Sequence, residues 1–362
     1  MPGTLPVMRP KLPAASSLLP YLSEIDGSRV YSNFGPLASR LEHRLCAHFK
    51  VGDHAVTTVA NATLGLALAL AAQHVTPGTL CVTPAWTFVA SPQAAILAGL
   101  IPYFADVNPR TWALEPDAID DIIAGAPGEV GAVMPVAPFG RPIDLHAWDR
   151  FRSRTGVAVV IDAAAAFDTV VATGTPTVVS LHATKVLGTG EGGFILADNR
   201  DLVLDIRRRM NFGFQGSREA MVPAFNAKLS EYHAAVGHAA LDEWHRARDE
   251  WLLVANRYRE ALQLSSVAHL PEGFGQTWVS SVCVVGLTGT DADRLEGRMT
   301  NGEIETRRWW GGGAQAHRSM SSCPRAALPI TEELSRSTLG IPMFRDLKPA
   351  DIRRVIECIE AA

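Results

Sequence analysis

Between Ala55 and Ala166, short apolar runs alternate with longer stretches of helical pattern, and this alternation restricts the fold more than any other feature. The strand-like runs are VTTVAN, LCVTPA, IPYFADV, GAVMPVAP and VAVVIDAA. Between them lie ATLGLALALAAQ, FVASPQAAILAGL, PDAIDDIIA and IDLHAWDRFRSRT. The strand-like runs are continuously apolar and do not alternate with polar residues, which is the pattern of strands buried on both faces. Repeated β and α units predict an α/β domain with a mostly parallel, doubly covered sheet. Ligands bind such sheets at the carboxyl ends of the strands.

With 362 residues, the chain has material for this domain and a smaller one. The first residues, to about 40, are rich in proline and turn formers, with a short helical stretch around LLPYLSEI. From Leu229 a long segment predicts one helix or two, linking the domains. Beyond it WVSSVCVVGL and EIETRRWW read as strands and PADIRRVIECIEAA as a closing helix. The predicted division is 1–245 for the N-terminal segment and large domain, and 246–362 for a smaller C-terminal α+β domain.

Several classes are excluded early. A net charge of −4 implies no broad basic surface for nucleic acid, and Arg207, Arg208 and Arg209 read as a solvated helix face. The five cysteines, Cys46, Cys81, Cys283, Cys323 and Cys358, are scattered, odd in number and without C-x-x-C spacing. They argue for reduced thiols in a cytoplasmic protein and against zinc. The histidines show no H-E-x-x-H spacing, so no metal site is expected. The opening MPGTLPVMRPKLP lacks the apolar core of a signal peptide, and no apolar run is long enough to span a bilayer.

Chemistry concentrates in SLHATKVLGTGEGG, Ser180 to Gly193. A lysine held partly desolvated after a strand has a lowered pKa, and its neutral amine can condense with an aldehyde to a Schiff base. The glycines would admit a flat ligand close to the backbone. The alternative is a surface lysine before a glycine turn. Gly188, Gly190 and Gly193 also fit G-x-G-x-x-G, but that fingerprint must open a helix, and here it leads into the apolar GFILAD. The dinucleotide reading therefore fails, and no phosphate-binding G-x-x-x-x-G-K-[ST] loop is present.

Further features fall at strand ends. Asn61, Ala62 and Thr63 open a helix whose free N–H groups and dipole suit an anion, or else Asn61 is an ordinary cap. Trp86 and Phe88 follow the second strand, where an aromatic ring can stack on a planar group or simply join the core. Asp162 ends VAVVID, where a carboxylate can hold a heteroaromatic nitrogen protonated, or cap a turn. The Ser180 hydroxyl can reach an anion held at Ala62 and Thr63.

In this order the features resemble the cofactor site of fold-type I pyridoxal phosphate enzymes, and in particular the DegT/DnrJ/StrS sugar aminotransferases. SNFGPLASRLE, NATLGLALAL, PAWTFVAS, AGLIPYFADV, VVIDAAAA, SLHATKVLGTGEGG, FNAKLSEYHAA and LGIPMF carry the resemblance across nearly the whole chain. It implies that Lys185 holds pyridoxal 5'-phosphate as a Schiff base and moves the substrate proton. Asp162 would pair with the ring nitrogen, Ala62, Thr63 and Ser180 would bind the phosphate, and Phe88 would stack on the ring, with Trp86 as the alternative. Asn226 would reach the phosphate of a second subunit in a homodimer. Asn33, His182, Arg307 and Trp309 are candidate contacts for the substrate, with Arg308 and Trp310 beside them, although that segment reads equally as a strand with one packed face. Where the family commonly has Gln or His three residues after the aspartate, this chain has Ala165, and the family's Ser-Gly-Thr is Asn61-Ala62-Thr63.

The resemblance implies transfer of an amino group from glutamate to a TDP-, UDP- or GDP-linked keto-deoxysugar, supplying an amino sugar for surface polysaccharide or a secondary metabolite. One alternative is a pyridoxal phosphate-dependent sugar dehydratase, an offshoot with histidine at the lysine position. The other is a non-catalytic cofactor-binding regulatory protein. The intact Lys185 and Asp162 favour the aminotransferase.

Overall fold

The structure is a computed structural model describing residues 3–361. Its central layer contains β1 (Val56–Val59), β2 (Leu80–Pro84), β3 (Ile101–Ala105), β4 (Val130–Val133), β5 (Ala158–Val159), β6 (Ile161–Asp162), β7 (Thr177–Ser180) and β8 (Gly193–Leu196). Two ladders, β3-β2-β4-β5 and β6-β7-β8-β1, join because β5 and β6 are halves of one extended stretch. Across the join, Val160 N–H donates to Val133 O at 3.1 Å and Asp162 N–H to Pro135 O at 2.9 Å. The pairings are parallel except at β8, which runs against both β1 and β7. That reversal follows from the connection: β7 returns into β8 through a short arch, without the crossover helix that a parallel strand requires.

Burial of β1, β2, β7 and β8 along their whole lengths bears out the continuous apolar pattern. Helix α3 (Ala62–Ala71) lies unusually close to this sheet. A Cβ on Gly65 would meet Val178 Cγ1 at 3.0 Å and Val59 Cγ1 at 3.2 Å, so only glycine allows the approach. Helices α4 (Ala90–Leu97), α5 (Ile119–Ala124) and α6 (Leu145–Thr155) fill the other connections where the alternation places them.

The N-terminal region, read as turns with a short helical stretch around LLPYLSEI, is more helical than that reading, and α1 contains the predicted stretch. It folds into α1 (Ala15–Ser28) and α2 (Pro36–Phe49). Pro36 stands at the start of α2, where a missing N–H costs nothing. Leu37, Leu41 and Leu45 then bury one face of α2. The charged α7 (Arg200–Arg209) comes after β8, and the long segment after Leu229 is two helices, α8 (Glu231–Asp242) and α9 (Trp244–Leu262).

A second sheet, ordered β11-β10-β9, contains β9 (Ala268–His269), β10 (Cys283–Leu287) and β11 (Thr338–Ile341). Beside it lie α10 (Ala292–Asn301), α11 (Pro329–Ser337) and α12 (Pro349–Glu360). EIETRRWW forms no strand, only single bridges from Ile304 to Leu5 and from Arg307 to Gly340. Its tryptophans turn away into an apolar cluster with Trp86 and Phe139, which ends the pairing. Residue 245 lies within the first turn of α9, so one helix carries the chain across the predicted division. The polypeptide also returns to the first sheet, where Ala314 N–H donates to Ala85 O and Ala326 N–H to Phe104 O.

Candidate active site

A cavity of about 380 Å³ opens where β1, β2, β6 and β7 end, a size within the usual range of small-molecule sites, roughly 300–1,000 Å³. Because these strands are parallel, all four carboxyl ends reach the same edge. The start of antiparallel β8 arrives there too. Ala62, Thr63, Phe88, Asp162, Ser180, His182, Lys185 and Trp309 line the cavity, so most of the residues singled out from sequence are brought together.

At one end stands the first turn of α3. Asn61 is indeed its cap, with Oδ1 accepting from Leu64 N–H at 2.9 Å. The capping role and the anion role coexist, because the N–H groups of Ala62 and Thr63 have no acceptor within the helix. Ser180 is buried beside them. Gly193 allows β8 to pass beneath, since a Cβ there would meet Ala62 N at 3.1 Å and Val179 O at 2.9 Å.

Asp162 is only 5% exposed. Its Oδ2 accepts from Ser91 Oγ at 2.7 Å and its Oδ1 from Ala164 N–H at 3.1 Å. Ser91 gives its one proton to the carboxylate, so the neighbouring Thr87 hydroxyl, 2.9 Å away, donates to Ser91. Burial pushes the Asp162 carboxyl above its ordinary pKa, and the Ser91 bond, the Ala164 N–H and the Lys185 charge oppose that rise. No described residue forms an ion pair with it. Lys185 stands half-buried on the turn after β7, its N–H on His182 O at 2.9 Å. Burial lowers its pKa, partly offset by Asp162.

The glycines following Lys185 act differently from the expectation that they admit a flat ligand. None of Gly188, Gly190, Gly192 or Gly193 lines the cavity. They close the arch instead: Gly190 has φ +96° and Gly192 φ +155°, and a Cβ on Gly188 would press on His182 O and Ala183 Cα at 3.0 Å.

Phe88 is 58% exposed and faces the cavity, whereas Trp86 is 3% exposed and outside the lining. Trp86 packs edge-on against Phe139 and Trp310, which stack on each other at 3.9 Å. Arg307 is also outside the lining, with its guanidinium 4.8 Å from the Trp309 ring. Arg308 is engaged by Asp293, Glu296 and the Ser335 carbonyl. Asn33 is exposed in a left-handed turn at φ +63°. Asn226 is exposed as well; it bridges Asn211, and its Oδ1 accepts from Lys228 Nζ at 2.7 Å. Neither Asn33 nor Asn226 lines the cavity of its own chain.

Met8, Phe139, Glu191 and Trp310 also line the cavity, and Ser91 supports Asp162 from behind. Only long-range folding reveals Met8 and Phe139. Glu191 lay in view within the lysine run, as a carboxylate between two glycines.

This donor set can be tested against the group it is expected to hold. A buried carboxylate lacking a cationic partner suits a protonated ring nitrogen. A desolvated amine suits an aldehyde, and two free helix N–H groups with a hydroxyl suit a phosphate. Pyridoxal phosphate presents all three. The fold and the site together define a pyridoxal phosphate-dependent aminotransferase of fold type I.

Known proteins agree. Residues 15–360 match the sequence profile of the DegT/DnrJ/EryC1/StrS aminotransferases, and the chain belongs to that family. Protein Rv3402c of Mycobacterium tuberculosis is 27% identical over 99% of this chain and 90% of its own. A dTDP-4-amino-4,6-dideoxy-D-glucose transaminase of Shigella dysenteriae is 34% identical over 65% of this chain and 64% of its own. A Bacillus cereus protein described as a PLP-dependent aminotransferase superposes with a TM-score of 0.93 at 29% identity, covering 98% of this chain and 99% of that one. DesI, crystallised with its TDP-sugar product, gives 0.88 at 28% identity, covering 100% and 93%. Among the described residues no helix is long and apolar enough to cross a membrane.

Proposed function

We propose that this aminotransferase passes an amino group from glutamate to a nucleoside diphosphate-linked keto-deoxysugar, working as a homodimer in cytoplasmic amino sugar biosynthesis. The observation that carries this reading is the composition of the cavity wall. Phe88, Phe139, Trp309, Trp310 and Met8 line it, and no arginine does among the described residues. Such a wall favours ring faces and apolar edges over a dicarboxylate, as a deoxysugar on a nucleotide requires. The dTDP-linked amino sugar in the name of the Shigella relative and the TDP-sugar product present with DesI support the same class. Glutamate then needs a cation from outside this lining. A second copy can supply it, and exposed Asn226, whose Oδ1 accepts from Lys228 Nζ at 2.7 Å, is where we place the contact with the partner's cofactor phosphate.

Bound here, pyridoxal phosphate supplies an electron sink and a carbonyl that exchanges for the amino group. Asp162 holds the proton on the ring nitrogen, and Ser91 keeps its carboxylate oriented. Ala62, Thr63 and Ser180 fix the phosphate end. Lys185, neutral more readily than an exposed lysine, carries the proton to and from the reacting substrate carbon. The Phe88 ring covers one face.

The test is spectroscopic. Protein loaded with pyridoxal phosphate should lose its visible band on addition of L-glutamate and gain one near the ultraviolet. A keto-deoxysugar should restore the visible band, the first to try being dTDP-4-keto-6-deoxyglucose, followed by UDP- and GDP-linked relatives. Lys185→Ala should show no visible band. Failure of every sugar to restore the band refutes the sugar assignment, and an unchanged spectrum with glutamate refutes the donor.

A further inference from the structure

Four titratable side chains line the cavity among the described residues: Asp162, Lys185, His182 and Glu191. The first two serve the cofactor. The other two stand as a second pair whose hydrogen-bonding capacity is largely unspent.

Their presentation is tightly controlled. Thr184 N–H approaches His182 Nδ1 at 3.2 Å, and the Thr184 hydroxyl lies 2.8 Å from the same nitrogen. A backbone N–H can only donate, so Nδ1 accepts and the proton of the neutral ring sits on Nε2. Nε2 faces Glu191 Oε1 at 3.7 Å, too far for a direct hydrogen bond. No described residue hydrogen-bonds to Nε2 or to the Glu191 carboxylate. On the Glu191 side, Thr189 Oγ1 donates to Glu191 O at 2.8 Å, and the positive-φ Gly190 and Gly192 set the chain path. Ala183 N–H on Gly190 O at 2.8 Å joins the two sides of the arch. Both side chains remain open to the cavity mouth, 43% and 59% exposed.

The gap therefore offers one donor and one acceptor side by side, set apart by slightly more than a hydrogen-bond length. A vicinal diol matches this arrangement, because its two gauche oxygens are about 2.8 Å apart, a typical O–H···O separation. One oxygen accepts from Nε2–H while the other donates to the carboxylate. We infer that His182 and Glu191 form a subsite for the vicinal hydroxyls of the acceptor sugar, beside the carbon that receives the amine. Both side chains line the same cavity as Lys185, whose N–H rests on His182 O in the same turn. The inference builds on the keto-deoxysugar reading above and adds which part of the sugar is recognised and by which residues.

The test compares sugar and enzyme variants in one cycle. Protein converted to its amine form by L-glutamate is mixed with dTDP-4-keto-6-deoxyglucose or with its analogue lacking the 3-hydroxyl, and return of the visible band gives kcat/KM for each. The parent protein should prefer the hydroxylated sugar by ~10–100-fold, the value of a hydrogen bond to a charged group. In Glu191→Ala that preference should fall to below about threefold, and Glu191→Gln, which retains an acceptor oxygen, should recover part of it. His182→Ala, read against an analogue lacking the 2-hydroxyl, reports on the other half of the pair and stands in if Glu191→Ala does not fold. Preference for its own hydroxyl kept by Glu191→Ala or, in its place, by His182→Ala overturns the subsite while leaving the sugar assignment intact. If the parent protein turns over neither sugar nor any other member of the panel, the sugar reading fails and takes the subsite with it.

Discussion

Ser91→Ala isolates the electrostatics of the cofactor site. Ser91 is fully buried, and its hydroxyl donates to Asp162 Oδ2 at 2.7 Å. With the cofactor bound, Asp162 must be charged to hold the ring-nitrogen proton, and a hydrogen bond to a charged group contributes about 1.5–3 kcal/mol. Without the cofactor, burial shifts the Asp162 carboxyl toward its neutral form, in which the same bond is worth about 0.5–1.5 kcal/mol. The difference, about 1–2 kcal/mol, falls on cofactor binding and corresponds to an affinity ~5–30-fold weaker. Titrating the apoprotein with pyridoxal phosphate and following the visible band measures it. In an Asp162→Asn background the charged acceptor is gone, so the same serine change should alter affinity by less than about twofold. Ser91→Ala binding within twofold of the parent, or losing as much in the Asp162→Asn background, refutes the reasoning.

Two further expectations concern the lysine and the helix beneath the phosphate. Burial holds the Lys185 pKa below its ordinary value, so capture of pyridoxal phosphate by the apoprotein should speed up as pH rises, with a midpoint below the ~10.4 of a free lysine. Asp162 opposes that lowering, and Asp162→Asn should move the midpoint further down. A parent midpoint at or above that of free lysine contradicts the first statement, and a midpoint that stays or rises in Asp162→Asn contradicts the second. Gly65→Val should cost about 1–3 kcal/mol in denaturant unfolding by overpacking against Val59 and Val178. It should also weaken cofactor binding, because it displaces the start of α3. A variant that unfolds and binds like the parent would show that the close approach of α3 does not matter.

Most of the residues expected to bind the cofactor were brought to one cavity for a local reason. Ala62, Thr63, Asp162, Ser180 and Lys185 each end a strand or lie in the turn or helix just after one. Once the strands are parallel, their ends share an edge, and order along the chain becomes proximity in space. Choosing between Trp86 and Phe88 needed the tertiary structure. Two residues apart after a strand, they part company because Trp86 finds Phe139 and Trp310 to pack against. Helix α2 begins inside the stretch whose prolines and turn formers read as irregular, and EIETRRWW was hidden behind a β-like composition that its tryptophans spend on packing.

Periodicity by itself determined the sheet type, because burial on both faces is a property of contiguous residues. Strand-end chemistry only singled out Lys185 and Asp162, and their roles rested on the family resemblance. Only the tertiary structure decided what surrounds that pair. Ser91 reaches Asp162 across 71 residues, and Met8 and Trp309 meet at one cavity from distant parts of the chain. His182 and Glu191 come into register only because β8 turns back against β7. Those juxtapositions depend on where whole elements pack, which no local window of sequence contains.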